Sequence, residues 1–185
     1  MARAKWYVVQ VQAGREKAMC KAIERACADV EYDGTMLLQE CFTPTFVRRL
    51  KFKGEWQDVE ERLLPGYVIA VTNDPVRVAR RLYGVHEFSR LLKMNEAFVP
   101  LREEERDWIE ESTQAGNRSV PISIGYRKGD TLVVTDGPLK GHEAMITRIV
   151  RKKCVAVIEI HAGNTRIVTE VGFALLPQKE AERMA

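Results

Sequence analysis

The sequence predicts an α+β protein whose C-terminal third is entirely β. Residues 6–11 are aromatic and β-branched, which is typical of a buried strand. Apolar residues then recur every three or four positions from Arg15 to about Val30, which predicts an amphipathic helix. Beyond residue 122 the chain alternates short strand signals with turn signals and has no helical period. A part that mixes strands and helices is therefore expected first, followed by an all-β part.

A β-hairpin is predicted in the middle of the N-terminal part. Residues 40–47 have the composition of an extended segment, in which Pro44 indicates an edge position or a bulge. Cationic and apolar residues alternate as far as Lys53-Gly54, which has the character of a tight turn. Residues 55–62 then supply a charged return strand, so the hairpin is expected to be solvated.

Another buried strand and two helices complete the N-terminal part. Pro65-Gly66 precedes an apolar run that ends at Val71, which predicts a strand. A short helix is expected at residues 76–83, because Asp74 can cap it and Pro75 suits its first position. A third helix is expected at residues 100–112, where the acids of the first turns favour the helix dipole.

The C-terminal part is predicted to be a small barrel. Residues 114–119 are small and polar, which is typical of a flexible linker. Five short strands follow, which favours a barrel, and they are expected at residues 130–135, 144–150, 154–160, 166–170 and 173–176. The resulting division is an N-terminal domain at 1–113, a linker at 114–122, a barrel at 123–177 and a tail at 178–185.

The composition is that of an ordinary folded protein. The chain has 185 residues, of which 45% are hydrophobic and 30% are charged, and this excludes collagen-like, mucin-like and wholly disordered chains. No apolar run approaches the roughly 20 residues of a membrane span. Residues 1–5 lack the apolar stretch of a secretory signal. We therefore expect a cytoplasmic protein with no membrane partner.

The cysteines and histidines give no sign of a metal site or a catalytic pair. The four cysteines form no CxxC motif, and no histidine stands at ligand spacing from them. Residues 137–141 lack the spacing of a phosphate-binding loop, and no GxSxG motif is present. We therefore expect no metal, no cofactor and no enzymatic activity.

The positive charge is confined to the predicted barrel. The whole chain carries 29 Lys and Arg against 26 Asp and Glu, a net charge of +3. Residues 1–122 contain 19 of each sign, whereas residues 123–177 contain 8 cations against 5 acids. The barrel is thus the part that is expected to attract a polyanion.

Two segments of this sequence resemble a known family. Trp6-Tyr7-Val8-Val9-Gln10-Val11, followed after a helix by Leu64-Pro65-Gly66-Tyr67-Val68, resembles the N-terminal domain of the NusG transcription elongation factors. Residues 129–146, with Asp136-Gly137-Pro138-Leu139-Lys140-Gly141, resemble the KOW motif that closes those proteins. Together the two resemblances cover nearly the whole chain.

The resemblance implies a fold and a protein partner. It implies an antiparallel sheet flanked by helices and then an SH3-like five-stranded barrel. The first domain would bind RNA polymerase at the tips of its clamp helices. Aromatic and apolar side chains of the motif are the candidate contacts, namely Trp6, Tyr7, Leu64, Pro65, Gly66 and Tyr67. From the pattern alone, Trp6, Tyr7 and Tyr67 are equally compatible with a place in the core.

The resemblance also implies that the barrel recruits nucleic acid or other factors. Cations at a turn can follow phosphates, and a histidine or asparagine can stack on or hydrogen-bond a base of single-stranded RNA. We expect a nascent RNA hairpin as the partner, although a solvated charge run remains open. The candidates are Arg127, Lys128, Lys140, Arg148, Arg151, Lys152, Lys153, His161, Asn164 and Arg166.

The hairpin carries a second cationic group. Arg48, Arg49, Lys51 and Lys53 are candidates for a contact with non-template DNA. Acidic residues of the return strand favour the alternative, a solvated hairpin face.

Three functional hypotheses follow. Housekeeping NusG proteins usually present an aromatic residue before a glycine in the last barrel loop, and residues 160–164 lack it. This departure and the basic run favour a specialised LoaP-type paralogue, a processive antitermination factor that acts as a monomer. The alternatives are a general NusG elongation factor that couples to Rho or the ribosome, and a ribosome-assembly or structural KOW RNA-binding protein.

Overall fold

The helices and strands follow the predicted α+β order. The computed structural model describes residues 4–28, 31–32, 34–85, 89–94 and 97–184. The helices are α1 (Glu16–Cys27), α2 (Pro75–Leu82), α3 (Glu103–Ser112) and α4 (Gln178–Arg183). The strands are β1 (Lys5–Val11), β2 (Glu31–Tyr32), β3 (Thr35–Met36), β4 (Glu40–Phe42), β5 (Thr45–Phe52), β6 (Glu55–Arg62), β7 (Tyr67–Thr72), β8 (Ser89–Leu91), β9 (Lys93–Met94), β10 (Ala97–Phe98), β11 (Ser119–Val120), β12 (Ser123–Lys128), β13 (Thr131–Asp136), β14 (Ile146–Val150), β15 (Val155–Ala162) and β16 (Thr165–Leu175).

The chain divides into two compact units, each discontinuous in sequence. The first unit comprises Met1–Pro44, Leu64–Arg106 and His161–Ile167. The second unit comprises Thr45–Leu63, Asp107–Ile160 and Val168–Ala185. This division differs from the sequence-based one, because β5 and β6 group with the C-terminal strands and residues 161–167 group with the N-terminal ones. Contacts between segments distant in sequence determine the grouping.

The first unit is built on a four-stranded sheet in the order β4-β7-β1-β8. β1 runs antiparallel to both of its neighbours, with Val9 opposite Val68 and Leu91. Along β1 the side chains alternate between faces, and Val9 lies in the same buried cluster as Met19 and Ile23 of α1. These observations confirm an antiparallel sheet that packs against a helix.

The signals for α1 and α2 gave accurate helix starts. The Asp74 carboxylate accepts a hydrogen bond from the Arg77 backbone N–H at 2.9 Å, and Pro75 occupies the first turn. This geometry confirms the predicted cap of α2. α1 begins one residue after Arg15 and ends at Cys27, while Val30, the predicted end, lies outside the described residues.

The predicted hairpin is confirmed and lies in the second unit. β5 and β6 pair antiparallel from Thr45 opposite Arg62 to Phe52 opposite Glu55. The turn residue Lys53 has a φ of 49°, a left-handed conformation that non-glycine residues adopt rarely.

β11 pairs parallel with β5, so part of the predicted linker at 114–122 is a strand. A fully flexible linker was therefore the wrong expectation for this segment.

The C-terminal sheet has five strands in the order β13-β12-β16-β15-β14. The predicted number of strands is therefore confirmed, but their identity differs. The last two predicted strands form one continuous strand, β16, because no turn intervenes between Glu170 and Phe173. The remaining strand, β12, has no counterpart among the predicted strands.

The turn after β13 is tightly packed within the second unit. Gly137 has a φ of 90°, and a Cβ there would lie 2.6 Å from the Ser123 Cα, so only glycine fits. The Ser123 hydroxyl oxygen accepts from the Leu139 backbone N–H at 3.0 Å. The indole N–H of Trp108 donates to the Pro138 carbonyl at 2.8 Å. These bonds fix the turn at residues 136–141 against β12 and α3.

None of the helices in the described ranges is long and apolar enough to cross a membrane. Among the same residues, no three or more His, Cys, Asp or Glu side chains are grouped so as to hold a metal ion.

Candidate functional site

The first candidate surface is the corner formed by Leu64, Pro65, Gly66 and Tyr67, hereafter the Pro65 corner. The Tyr67 backbone N–H donates to the Leu64 carbonyl at 3.0 Å, which closes a turn. The Gly66 carbonyl accepts from the Val11 N–H at 2.8 Å. The corner is thus held against the end of β1 by backbone hydrogen bonds.

A buried carboxylate fixes the same corner from α1. The Oε1 atom of Glu16 accepts from the Gly66 N–H at 2.8 Å and from the Gly14 N–H at 3.1 Å. The Glu16 side chain is fully buried, and charge-assisted hydrogen bonds of this kind are strong. Sequence reasoning missed Glu16. Its signal was an acid at the first residue of a helix, immediately after a Gly-Arg turn.

Only part of the predicted polymerase-contact set is accessible. Trp6, Tyr7 and Leu64 are buried in the first unit, so their side chains offer no surface to a partner. Pro65 is exposed, and Gly66 and Tyr67 are half-buried. Trp6 and Tyr7 therefore occupy core positions, which is the alternative that the sequence left open. Leu64 is also buried, and this corrects its prediction as a polymerase contact.

The two buried aromatic residues have packing roles within the sheet. Trp6 meets Phe42 edge to face, with ring centroids 5.2 Å apart. Tyr7 lies on the opposite face, in the core shared with α1. Burial, assisted by the Asp74 carboxylate, raises the pKa of the Tyr7 phenol. The phenol is therefore neutral at physiological pH.

The second candidate surface consists of cations on the C-terminal sheet. Arg151, Lys152 and Lys153 form a short 3-10 turn between β14 and β15, hereafter the basic turn, and all three are exposed. This is the inter-strand position that the sequence predicted. Four further candidates in the second unit are also exposed, namely Arg127, Lys128, Lys140 and Arg148.

Two neighbours within the second unit hold the basic turn in place. The Lys153 ammonium forms an ion pair with Glu170 at 3.0 Å. The Arg48 Nη1 atom donates to the Lys153 backbone carbonyl at 3.2 Å, and its Nη2 atom pairs with Glu61. Arg48 therefore positions the basic turn. Its guanidinium is engaged within the second unit, and this corrects its prediction as a DNA contact.

The remaining hairpin cations include two at the tip. Arg49 pairs with Asp58 at 3.0 Å, and both side chains are about half exposed. Lys51 lies 5.9 Å from the ring centroid of Trp56, and Lys53 lies 5.5 Å from that of Phe52. Sequence reasoning missed these two exposed aromatic residues. Their signal was an aromatic residue within a strand that is otherwise charged.

The other predicted base contacts belong to the first unit. His161 donates its backbone N–H to Glu105 Oε1 at 2.6 Å, and its Nδ1 atom lies 3.0 Å from the same oxygen. Both contacts hold His161 against Glu105, and this corrects its prediction as a residue that stacks on an RNA base. Asn164 and Arg166 are exposed near the β15–β16 turn. These three residues therefore group apart from the basic turn.

Comparisons with known proteins agree with these features. The family model described as "Transcription termination factor nusG" matches residues 4–110. A protein of Campylobacter jejuni named transcription termination/antitermination protein NusG is 28% identical over 79% of this chain and 81% of its own length. A protein of the same name from Streptomyces griseus is 28% identical over 88% of this chain, but only 60% of its own length is covered.

A solved structure agrees at the level of the fold. The structure titled "Domain interaction in Thermotoga maritima NusG" covers 92% of this chain and 94% of its own, with a TM-score of 0.52 and 17% identity. This similarity concerns the fold, and the sequence matches define a NusG-like transcription factor. The chain belongs to the NusG family.

Proposed function

We propose that this chain is a processive antitermination and elongation factor that binds RNA polymerase with its first unit and nascent RNA with its second. The observation that carries the proposal is the contrast between a rigid, partly apolar corner and an exposed cationic turn. Each suits one class of partner. A protein machine is recognised through apolar and aromatic anchors, and RNA through charge.

The Pro65 corner is the proposed contact with the polymerase clamp helices. Pro65 and Tyr67 present apolar and aromatic surface from a turn that Glu16 and Val11 immobilise. A contact that is already ordered loses little conformational entropy on binding. Trp6, Tyr7 and Leu64 support this surface from within the core.

The basic turn and its neighbours are the proposed contact with a nascent RNA hairpin. Arg151, Lys152 and Lys153 are exposed, and Arg127 and Lys128 end the β12 strand of the same sheet. Phosphate contacts of this kind position a nucleic acid without reading its sequence. Asn164 and Arg166 belong to the first unit and are not part of this contact.

The hairpin tip is a proposed contact with single-stranded DNA, such as the non-template strand. Lys51 and Lys53 supply charge, and Trp56 and Phe52 are each 58% exposed. Bases stack readily on exposed aromatic rings.

In vitro transcription through a terminator tests the proposal. The template is prepared with and without the candidate leader RNA of the operon that the factor serves. Read-through that requires the leader supports the specialised, LoaP-type role.

Read-through on every template supports a second candidate, the general elongation factor. The names of the curated relatives favour that candidate. RNA binding without any effect on transcription would instead favour a structural KOW protein.

A further inference from the structure

A cavity of about 340 Å³ opens in the second unit beside the basic turn. Arg127 and Arg151 line it from two different segments. The half-buried Leu175 and Leu176 and the exposed Pro177 are apolar lining residues, and Phe173, which also lines it, is buried. Ligand pockets in proteins span roughly 300–1,000 Å³, so this one suits a small group and is too small for a folded helix.

The lining segments are tied together by backbone hydrogen bonds. The Phe173 N–H donates to the Cys154 carbonyl at 2.9 Å, and the Leu176 N–H donates to the Gly125 carbonyl at 2.9 Å. A Cβ on Gly125 would lie 2.9 Å from the Phe173 ring, so this ring packs directly on the β12 backbone. The cavity is therefore formed before any ligand arrives, which reduces the entropy lost on binding.

The charge of the cavity is of one sign. Both arginines are exposed, and neither forms an ion pair with a described residue. Among the described residues that line the cavity, none is acidic. Arginine binds phosphate in a bidentate manner and also stacks on planar rings. The combination of two guanidinium groups with an apolar floor therefore suits a ligand that is anionic at one end and planar and apolar at the other.

We propose that this cavity receives one nucleoside monophosphate, with its base on the apolar floor and its single phosphate on Arg127 and Arg151. The proposal rests on the proposed function in one respect, namely that RNA bound at the basic turn supplies this nucleotide. Bases that are splayed out of single-stranded loops are the usual targets of RNA-binding proteins. A free nucleotide has the same chemistry, and separate probing with RNA and with free AMP and UMP distinguishes the two sources.

Cys154 provides a reporter inside the full-length protein. Cys154 is a lining residue of the cavity and is half-buried, whereas Cys20, Cys27 and Cys41 are buried in the first unit. The rate at which N-ethylmaleimide alkylates Cys154 is measured by mass spectrometry. Single-stranded RNAs of about ten nucleotides are the first probes, and free AMP and UMP are the second. We expect saturating RNA to slow alkylation at least about fivefold, because the occupied cavity shields the thiol.

A pair of double variants tests the role of the two arginines. Arg127→Gln with Arg151→Gln removes the cavity cations, and Lys17→Gln with Lys21→Gln removes the same charge from the exposed face of α1 in the first unit. We expect the first pair to weaken RNA binding about tenfold more than the control pair, because only it loses bidentate phosphate contacts. Circular dichroism and urea unfolding establish that both variants are folded.

The outcomes separate this inference from the proposed function. Equal losses in the two double variants, together with unprotected Cys154 under saturating RNA, overturn the cavity proposal and leave RNA binding intact. If RNA does not bind at all, the proposed function fails. In that case protection of Cys154 by AMP or UMP retains the cavity as a free-nucleotide site, and absence of protection by every probe rejects it.

Discussion

The Pro65 corner and the basic turn are both turns that join strands, yet they are built in opposite ways. The corner is held from inside by the fully buried carboxylate of Glu16 and by the end of β1. The basic turn projects its cations into solvent and is held at its edge by Arg48 and Glu170. A surface that recognises shape requires a fixed backbone, whereas a surface that follows phosphates requires accessible charge.

The largest expected effect is on stability and concerns Glu16. We expect Glu16→Ala to lower the free energy of unfolding by about 2–4 kcal/mol, because the Gly14 and Gly66 N–H groups lose their charged acceptor in a buried site. Urea unfolding of the full chain measures this loss. Glu24→Ala on the same helix is the matched control, since Glu24 is exposed. A loss as small as that of the control would show that the carboxylate does not hold the corner.

The next effect concerns polymerase binding. We expect Tyr67→Ala to weaken binding to core RNA polymerase about 30-fold, equivalent to about 2 kcal/mol, because aromatic anchors dominate interfaces of this kind. Binding is measured by fluorescence anisotropy of the labelled protein. Tyr83→Ala is the control, because Tyr83 is 90% exposed in the same unit. If the two variants bind equally well, the Pro65 corner is not the contact.

A somewhat smaller effect is expected for RNA. Replacing Arg151, Lys152 and Lys153 together by glutamine should weaken binding of the leader RNA about tenfold and reduce the salt slope by about 2, because fewer counterions are released. RNA titrations at several salt concentrations give both quantities. The control replaces Lys17, Lys21 and Arg25, three exposed cations of α1, with glutamine. An unchanged slope in the basic-turn variant would remove the turn from the RNA site.

The smallest effect distinguishes two neighbouring arginines on β5. Arg48→Ala should cost about 1 kcal/mol of stability, because the half-buried guanidinium is bound to both Glu61 and the Lys153 carbonyl. Arg49→Ala should cost about 0.3 kcal/mol, since its ion pair with Asp58 is exposed. Thermal unfolding compares the two variants. The reverse order would mean that Arg48 does not support the basic turn.

Local signals in the sequence predicted much of the fold. Asp74 and Pro75 marked the start of α2, and Lys53-Gly54 marked the hairpin turn, because capping and turn chemistry depend on neighbouring residues alone. Pro44 predicts an edge position or a bulge within one extended segment at residues 40–47, whereas the structure breaks that segment into β4 and β5. The position of the basic turn between two strands followed from the same kind of signal.

The misses arose where partners are distant in sequence. His161 lies 56 positions from Glu105, and Arg48 lies 105 positions from Lys153, so neither pairing has a local signal. The burial of Trp6 depends on what covers both faces of β1, which alternation along one strand does not reveal. The cavity also escaped prediction, because its lining comes from β12, the basic turn and the end of β16.

The central claim is that the two surfaces act separately, and one set of titrations tests it directly. The affinities for RNA polymerase and for the leader RNA are both measured for Tyr67→Ala and for the basic-turn triple variant, at one fixed salt concentration. We predict that Tyr67→Ala loses polymerase affinity and keeps RNA affinity, and that the triple variant does the reverse. Parallel loss of both affinities in either folded variant would contradict the account.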